Sequence, residues 1–336
     1  MRASGRKSIL IIIVARIGDT LFVTPAVRAL RKCFPDARID VLAHPGRISV
    51  LENNQDINML LCNNIWGRFR LLPRLNNRYD MVFVYGEDIK LLKYGRSIGK
   101  YVIGFKHGIP SVDRLMDIAV PRPLVPMHAV DERLLLPAAA GTKCAEKKLV
   151  YCVRKEEKSW ADSFMKKNGI GVNDIVIGFQ IAGFPTKAYR DWPVEKFISL
   201  GRHIMNKYKA KILLFGSGKE VKKAKEIRNA LGGNSVIAAG RTSIRQAAAL
   251  ISGLNAFVTT DTGPMHIAFA LEVPTVALFH CMHPARYLGP LHNIDRFTMI
   301  QMTPPLNEEC GRHLALDSIS SDMVWKEIQK MIGDKL

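Results

Sequence analysis

Short apolar runs alternate with helical segments along this 336-residue chain, and the whole pattern occurs twice. Such runs are typical of parallel β-strands in sheets that helices cover on both faces. The sequence therefore predicts an α/β protein with two doubly wound, Rossmann-like domains. The strands predicted in the first half are Ile9–Val14, Ile39–Ala43, Asn58–Cys62, Met81–Tyr85 and Tyr101–Gly104. Those predicted in the second half are Ile175–Phe179, Ile212–Phe215, Ser235–Ala238, Ala256–Thr259 and Thr275–Phe279.

The length of the chain also favours two domains, because a single hydrophobic core rarely serves more than about 250–300 residues. We place an N-terminal domain at residues 1–165 and a C-terminal domain at residues 172–316, joined within the polar stretch Lys155–Asp174. No apolar run approaches the roughly 20 residues that a spanning helix needs. The run Ser8–Val14 follows a basic start but leads directly into a glycine turn, so we interpret it as a buried strand and not as a signal peptide.

The net charge of +19, with an isoelectric point near 9.8, indicates an anionic partner or surface. The excess is spread over both halves: 24 lysines and arginines stand against 13 acids up to Val150, and 25 against 17 after it. We do not expect nucleic acid binding, because aromatic residues make up only 8% of the chain and the sequence has no helix-turn-helix, zinc-finger or RNP-like stretch. A phospholipid surface, a phosphorylated glycolipid and a nucleotide diphosphate remain as candidate partners.

The cysteines show neither the close pairs of a zinc module nor the spacing of a disulfide framework, which fits a reducing cytoplasm. The segment His280–His283 holds two histidines and Cys281, but we predict no metal site there because no second ligand cluster accompanies it. The six cysteines are Cys33, Cys62, Cys144, Cys152, Cys281 and Cys310.

The stretch TTDTGPMHIAFALEVP, residues 259–274, places an acid, two small residues and a histidine where a predicted strand turns into a helix. The first turn of a helix has unpaired backbone N–H groups and partial positive charge, and a glycine lets the backbone approach an anion closely. We therefore predict a phosphate site formed by Asp261, Thr262, Gly263 and His266. The alternative is that Asp261 only caps the helix.

A second acid follows the first predicted strand, in the loop ARIGDT at residues 15–20. In doubly wound sheets ligands bind beyond the carboxyl ends of the strands, so Asp19 is a candidate general base for a hydroxyl group held there. Its alternative role is that of a helix cap. Arg16 and Thr20 beside it, with Arg68 and Arg70 further along, are candidate contacts to an anionic acceptor.

Two further loops of the second half carry groups that suit a phosphate. The long loop after the first strand of that half contains Thr186, Lys187 and Arg190, whose hydroxyl and cationic groups suit a diphosphate. The next strand ends in FGSGK, where Gly216 and Ser217 form either a phosphate contact or a simple chain reversal. Three such loops on adjacent strand ends of one domain predict a single phosphate site.

Four stretches together resemble the heptosyltransferases of glycosyltransferase family 9. They are RIGDTLFVTPAVRALRKCFPDARIDVLA at residues 16–43, RDWP at 190–193, AGRTSIRQAAALI at 239–251 and TDTGPMHIAFALEVPTVALF at 260–279. The similarity continues into the closing LDSISSDMVWKEI, residues 316–328, and so covers nearly the whole chain.

The resemblance implies a GT-B architecture with the active site in the cleft between the domains, and a terminal helix in residues 317–336 that packs back toward the N-terminal domain. It implies transfer of a heptose from ADP-heptose to a lipopolysaccharide inner-core acceptor, with inversion and without a metal or cofactor. Asp19 matches the family's catalytic base. Asp261, Thr262, Gly263 and His266 match its phosphate loop, and Thr186 and Arg190 match further diphosphate contacts, with Arg190 in place of a common lysine.

Two departures from the family pattern leave the donor open. QIAG at residues 180–183 stands where the family often has a His-Pro-Gly type of sequence, and HCMH at residues 280–283 replaces a small glycine turn. The alternatives are another sugar-nucleotide enzyme of the same architecture, with a different donor or acting as an epimerase, and a sugar-nucleotide-binding protein without catalysis.

A cationic run in the first half predicts peripheral attachment of a cytoplasmic protein to the anionic inner membrane, where a phosphorylated lipid acceptor would lie. Its residues are Arg68, Arg70, Arg74, Arg78, Lys90, Lys93, Arg96, Lys100 and Lys106.

Overall fold

The computed structural model describes residues 6–64, 79–143, 146–181 and 188–333. The chain divides into two compact units, Met1–Cys152 and Val153–Leu336. This division comes earlier than the predicted boundary, because the helix Lys155–Lys167 belongs to the second unit. Glu157 of that helix accepts two hydrogen bonds, of 2.8 and 2.7 Å, from the buried side chain of Arg245 in the same unit. Among the described residues, no helix has the length and apolar character needed to cross a membrane.

The first unit is built on a parallel sheet with helices. Its described strands are β1 Ser8–Ile13, β2 Arg38–Ala43, β3 Met59–Cys62, β4 Tyr79–Tyr85, β5 Gly99–Phe105 and β6 Ile118–Val120. Its described helices are α1 Ile17–Phe22, α2 Thr24–Cys33, α3 Ile89–Ile98, α4 Pro110–Asp113 and α5 Ala129–Ala139. The central strand is β1, in which Ile11 pairs with Val41 on one side and with Phe83 on the other.

The second unit has the same construction. Its described strands are β7 Val176–Gln180, β8 Lys211–Phe215, β9 Ser235–Ile237, β10 Ala256–Thr260, β11 Thr275–Phe279 and β12 Phe297–Gln301. Its described helices are α6 Lys155–Lys167, α7 Val194–Tyr208, α8 Val221–Leu231, α9 Ile244–Ile251, α10 Gly263–Ala270, α11 Ala285–Leu288 and α12 Ser321–Gly333.

The two sheets share one connectivity. The strand order is β3-β2-β1-β4-β5-β6 in the first and β9-β8-β7-β10-β11-β12 in the second, so both follow the Rossmann order. The order reverses between β1 and β4 and between β7 and β10, and ligands of such folds bind beyond the carboxyl ends of the strands at these switch points. Asp19 follows β1 and Asp261 follows β10. The prediction of two Rossmann-like domains is confirmed.

The central strands are buried on both faces. Leu10 and Ile12 of β1 pack with Leu92 of α3 on one face of the sheet, while Ile9 and Ile11 are equally buried on the other. A strand of this kind is apolar at successive positions instead of alternating with polar residues. This is why the run SILIII could be recognised as a strand from sequence.

Two strands, β6 and β12, were not predicted. Each lies at the edge of its sheet, with a partner on one side only among the described strands. β6 has only three residues, all of them partly exposed, and β12 alternates between exposed and more buried positions. Short, half-exposed strands lack the continuous apolar run on which the prediction depended.

The terminal helix α12 also differs from the expectation. Val324 and Ile328 are fully buried in the core of the second unit, together with Leu200 of α7. Just before the helix, the Ile319 carbonyl accepts a hydrogen bond of 2.9 Å from Trp192 Nε1 of the RDWP sequence. These contacts make α12 part of the second unit, whereas the sequence-based expectation was packing toward the N-terminal domain.

Candidate active site

Arg190 and Asp261 meet at the switch point of the second sheet. Arg190 ends a short 3-10 turn, Ala188–Arg190, in the connection after β7, and Asp261 directly follows β10. The Nη2 group of Arg190 donates to both the backbone oxygen and the carboxylate Oδ2 of Asp261. The side chains are only 6% and 8% exposed. A buried ion pair therefore joins two of the three loops that the sequence predicted to bind phosphate.

The electrostatics of this pair keep Asp261 ionised. Burial alone would raise the pKa of Asp261, because it disfavours the charged carboxylate. The hydrogen bond with His266, the charge of Arg190 and the electrostatic interactions with His266 and His283 outweigh burial and hold the pKa of Asp261 below its ordinary value. His266 lies in the first turns of α10, with its Nε2 3.7 Å from Asp261 Oδ1. Asp261 therefore holds Arg190 and His266 in position as a carboxylate at neutral pH.

The start of α10 shows that Asp261 is not its cap. Thr262 is the N-cap residue, and its hydroxyl donates to the Thr260 carbonyl at 3.2 Å instead of capping the helix. The helix begins at Gly263, so its first N–H groups lie just beyond the carboxyl end of β10. The interpretation of Asp261 as a simple cap is wrong. The phosphate site at Asp261, Thr262, Gly263 and His266 stays a prediction with suitable geometry.

In the turn after β8, the polar groups of Ser217 are hydrogen-bonded within the turn itself. Both the backbone N–H and the hydroxyl of Ser217 donate to Glu220 Oε2, at 2.8 and 2.6 Å. This capping box engages the groups that a phosphate would use and adds a carboxylate charge to the turn. The geometry at Gly216 and Ser217 thus favours the chain reversal over the phosphate contact. Thr186 and Lys187 lie outside the described residues.

A tyrosine and two histidines extend the Arg190–Asp261 site toward β11, and the sequence analysis gave none of them a role. The Tyr189 hydroxyl lies 3.4 Å from His283 Nε2, and the Tyr189 and His280 rings meet edge-on with centroids 4.8 Å apart. Tyr189 and His283 are 94 positions apart in the chain. The only feature of the sequence that could have indicated a place for Tyr189 in this site was its position next to Arg190.

His280 is a structural member of this group. It is 1% exposed, and its Nε2 lies 3.1 Å from the Leu314 carbonyl oxygen. Burial lowers the pKa of His280; the hydrogen bond to Leu314 opposes this change, and the charge of Arg190 adds to it. The ring is therefore neutral at pH 7, with Nε2–H donating to the carbonyl.

Cys281 and Cys310 form a disulfide bond across 29 positions, which corrects the interpretation that the cysteines lack a disulfide framework. A separation of this length leaves no local pattern in the sequence. Together with His280, the two cysteines are the one group of possible metal ligands found in the described part of the chain. Each sulfur is bonded to the other, and His280 Nδ1 accepts the Met282 N–H at 3.2 Å.

Asp19 occupies the corresponding switch point of the first sheet. It lies in the first turn of α1, whose N-cap residue is Arg16, so the interpretation of Asp19 as a cap is also wrong. Arg133 of α5 reaches toward it, with Nη2 3.5 Å from Asp19 Oδ1, and pairs with Glu132 at 2.9 Å. The Asp19 side chain is 40% exposed. It is therefore oriented by a cation and still accessible to a substrate hydroxyl.

Tyr85 supports Arg133 from the end of β4. Its hydroxyl donates to the Arg133 carbonyl at 2.8 Å, and the guanidinium lies 6.0 Å from the centre of its ring. Burial raises the pKa of Tyr85 and the charge of Arg133 opposes this, so the phenol stays neutral. No sequence pattern connected either residue with Asp19, which is 114 positions from Arg133.

The residues predicted to contact the acceptor differ in their exposure. Thr20 is fully buried and donates its hydroxyl to the Arg16 carbonyl at 2.8 Å, so it supports α1 and does not face a ligand. Arg16 is exposed at the start of α1, as a contact to an acceptor requires. Arg68 and Arg70, like Arg74 and Arg78 of the cationic run, lie outside the described residues.

Comparison with known proteins identifies the family. The sequence profile of Glycosyltransferase family 9 (heptosyltransferase) matches residues 68–310, well over half of the chain. The chain belongs to glycosyltransferase family 9. This glycosyltransferase is 26% identical to lipooligosaccharide heptosyltransferase 2 of Haemophilus influenzae, over 97% of this chain and 99% of that protein. It is 27% identical to lipopolysaccharide heptosyltransferase 2 of Salmonella typhimurium, again over 97% and 99%.

Solved structures of the family share the fold. The glycosyltransferase aligns with a family 9 glycosyl transferase from Veillonella parvula with a TM-score of 0.85 at 21% identity, over 98% of both chains. It aligns with the ADP-heptose lipopolysaccharide heptosyltransferase II of E. coli with a TM-score of 0.79 at 23% identity, over 98% of this chain and 99% of that one. The predicted GT-B fold and the prediction of a glycosyltransferase are confirmed.

Proposed function

We propose that this glycosyltransferase moves a heptose from ADP-heptose to a lipopolysaccharide inner-core acceptor, with inversion at the anomeric carbon and with Asp19 as general base. Its family and the names of its curated relatives support the transferred sugar and the acceptor class. The name of the E. coli structure supports the donor. The observation that carries the proposal is the buried Arg190–Asp261 pair at the switch point of the second sheet, where such folds bind nucleotides.

The donor diphosphate binds at the start of α10 in this proposal. Arg190, the imidazole of His266 and the backbone N–H of Gly263 offer positive charge and hydrogen-bond donors to its oxygens. Asp261 is itself an anion that repels phosphate, so we assign it the positioning of Arg190 and His266. Thr186 and Lys187 remain candidate contacts. These protein groups stabilise the negative charge that grows on the departing diphosphate, with no cofactor and no metal assigned to the step.

The acceptor is activated at Asp19. The carboxylate removes the proton from an acceptor hydroxyl while the hydroxyl oxygen attacks the anomeric carbon of the heptose. The bond from that carbon to the diphosphate oxygen breaks, and its electron pair leaves with ADP. Attack opposite the leaving group inverts the configuration. Arg133 keeps the carboxylate of Asp19 oriented toward the acceptor.

We also propose that the protein acts in the cytoplasm, attached to the inner membrane without spanning it. A lipid-linked acceptor and a net charge of +19 both favour contact with an anionic leaflet. Arg96 and Lys100 of the cationic run pair with Asp117 and Asp80. Three other members are exposed: Lys90, Lys93 and Lys106. Attachment through these charges predicts vesicle binding that weakens as salt is added.

A donor screen with mass detection tests the reaction. ADP-heptose is compared with other ADP-, UDP- and GDP-sugars, with a truncated core glycolipid as acceptor. We expect the acceptor to gain the mass of one heptose with ADP-heptose and with no other donor. Change of the donor without acceptor would identify an epimerase instead, and donor binding without any product would identify a binding protein. Either result contradicts the proposal.

A further inference from the structure

A proline-rich loop of the first unit exposes apolar side chains. It lies at the carboxyl ends of the strands, as Asp19 does. The loop, Pro121–Met127, follows the edge strand β6 and leads into α5. Leu124 is fully exposed, at 102%, Val125 is 74% exposed and Met127 is 37% exposed. Single exposed apolar residues are common on protein surfaces, but a run of them marks a surface that contacts something apolar.

The loop is held at both ends. Arg122 pairs with Glu132 at 2.5 Å, and its guanidinium lies 4.6 Å from the centre of the Phe105 ring. At the other end His128 is buried, and its Nδ1 accepts the Val130 N–H at 3.1 Å. Three of the seven loop residues are prolines, whose rings restrict φ. The exposure of Leu124 and Val125 is thus built into a restrained segment.

The composition of the loop suits a lipid interface. Prolines have no backbone N–H, so few donors need to leave water when the loop enters an apolar phase. The connection after β5 leaves the sheet beside it, since the Lys106 N–H donates to the Val120 carbonyl at 2.8 Å. That connection exposes Ile109, 47%, together with the cations Lys106 and Arg114. Apolar side chains flanked by cations are typical of segments that bind anionic bilayers.

The nearby acids are engaged with other groups of the protein. Asp113 accepts hydrogen bonds of 2.7 and 3.1 Å from the backbone N–H groups of His107 and Gly108. Glu87 pairs with Arg122 at 3.4 Å. The first 150 residues as a whole carry 24 lysines and arginines against 13 acids. The charge of this unit therefore complements an anionic surface.

We propose that the loop Pro121–Met127 inserts Leu124 and Val125 into the anionic bilayer that carries the acceptor. The choice of a bilayer as partner rests on the proposed function, which supplies the lipid-linked acceptor. β1 and β6 are three strand spacings apart in the sheet, roughly 15 Å. Insertion at β6 thus keeps the carboxyl edge with Asp19 close to the headgroup layer. It adds to the basic charge a component of membrane binding that resists salt.

Vesicle sedimentation tests the insertion without any substrate. The wild type, the double variant Leu124→Asp/Val125→Asp and the control Val172→Asp are mixed with phosphatidylcholine vesicles containing about 30% phosphatidylglycerol. Val172 is 103% exposed in the second unit and matches the loop residues in exposure. We expect the partition coefficient of the double variant to fall roughly tenfold or more, and that of the control to stay unchanged. At about 0.5 M salt the residual binding of the wild type should be absent from the double variant.

Three results would overturn the inference: no vesicle binding by the wild type, equal binding by the double variant, or conversion of a dimer to a monomer by the double variant with unchanged vesicle binding. The last result would identify the loop as a contact between copies of the chain. Transfer to a core oligosaccharide freed of lipid separates this inference from the proposed function. The double variant should keep that activity, because the loop lies outside the donor and base sites. If the wild type itself transfers no heptose to this acceptor, the result counts against the proposed function and not against membrane insertion.

Discussion

At the residue scale, Arg190 is the position where a conservative change is most informative. One guanidinium nitrogen donates to both the backbone and the side chain of Asp261, and the planar group offers further donors to a diphosphate. Lysine keeps the charge but not this geometry. We expect Arg190→Lys to weaken ADP binding by about tenfold, and Arg190→Gln by about a hundredfold, as measured by calorimetry. Arg202→Lys, on the exposed face of α7, is the matched control. Unchanged ADP affinity in Arg190→Lys would contradict the assigned contact.

The same pair predicts how stability depends on pH. The pKa of Asp261 lies below its ordinary value of 3.8, so its contribution to stability is complete above that pH and is lost as the pH falls through the lower folded-state value. Asp261→Asn removes the carboxylate charge that faces the buried Arg190, at a cost of about 3–5 kcal/mol near pH 6. Urea unfolding followed by tryptophan emission measures this difference, since Trp192 lies in the same unit. We expect the difference between wild type and variant to shrink below pH 3.8. A difference that stays constant down to about pH 3 would contradict this prediction.

The sequence indicated which acids follow the strands, but it did not indicate which side chains pair with those acids. The positions of Asp19 and Asp261 beyond the carboxyl ends of β1 and β10 could be predicted, because each lies in the segment that follows an apolar run. Their partners come from distant segments: Arg133 is 114 positions from Asp19, and Arg190 is 71 positions from Asp261. Such pairs depend on the folded sheet and leave no spacing that a single sequence shows. Thr20 was expected to contact a ligand, but it is fully buried and its hydroxyl donates to the Arg16 carbonyl.

At the element scale, the interior strands could be predicted and the edges could not. β1 and β10 are buried at nearly every position and begin or continue as apolar runs, because helices cover both faces of the sheet. β6 and β12 at the edges carry partly exposed residues and lack this signal. The helix α12 was expected, but the unit against which it packs was not, because an apolar helix face can pack against the core of either unit. The packing of Val324 and Ile328 with the core around α7 assigns it to the second unit.

The disulfide between Cys281 and Cys310 ties the end of β11 to the segment before α12. Closing a loop of 29 positions stabilises the folded state by about 3–4 kcal/mol in the chain-entropy account. We expect Cys310→Ser to lower the free energy of unfolding of the second unit by this amount under oxidising conditions, as measured by urea titration. Cys33→Ser, at an exposed free thiol, is the control.

The same bond can be checked chemically. The denatured protein should show two more thiols after reduction than before it. A reducing compartment opens accessible disulfides, so the difference between wild type and Cys310→Ser should vanish in the presence of a reductant. Equal thiol counts before and after reduction would contradict the bond.

At the scale of the whole molecule, two units of one connectivity carry different side chains at equivalent switch points. The second carries a cationic and backbone site suited to a diphosphate, and the first carries an oriented, half-exposed carboxylate. Fold class and family could be predicted from sequence because both depend on long patterns that recur along the chain. The boundary between the units could not, because the polar helix Lys155–Lys167 resembles a linker until Glu157 is seen paired with Arg245.

In the proposed reaction, Asp19 of the first unit activates the acceptor, while groups of the second unit bind the donor diphosphate. The most direct measurement compares transfer rate and donor affinity in Asp19→Asn, with Asp36→Asn, an exposed acid of the same unit, as the control. We predict that Asp19→Asn lowers the transfer rate by about 10²–10⁴-fold while its affinity for ADP-heptose stays within about twofold of the wild type. A transfer rate close to that of the wild type in Asp19→Asn would contradict the role of Asp19 as general base.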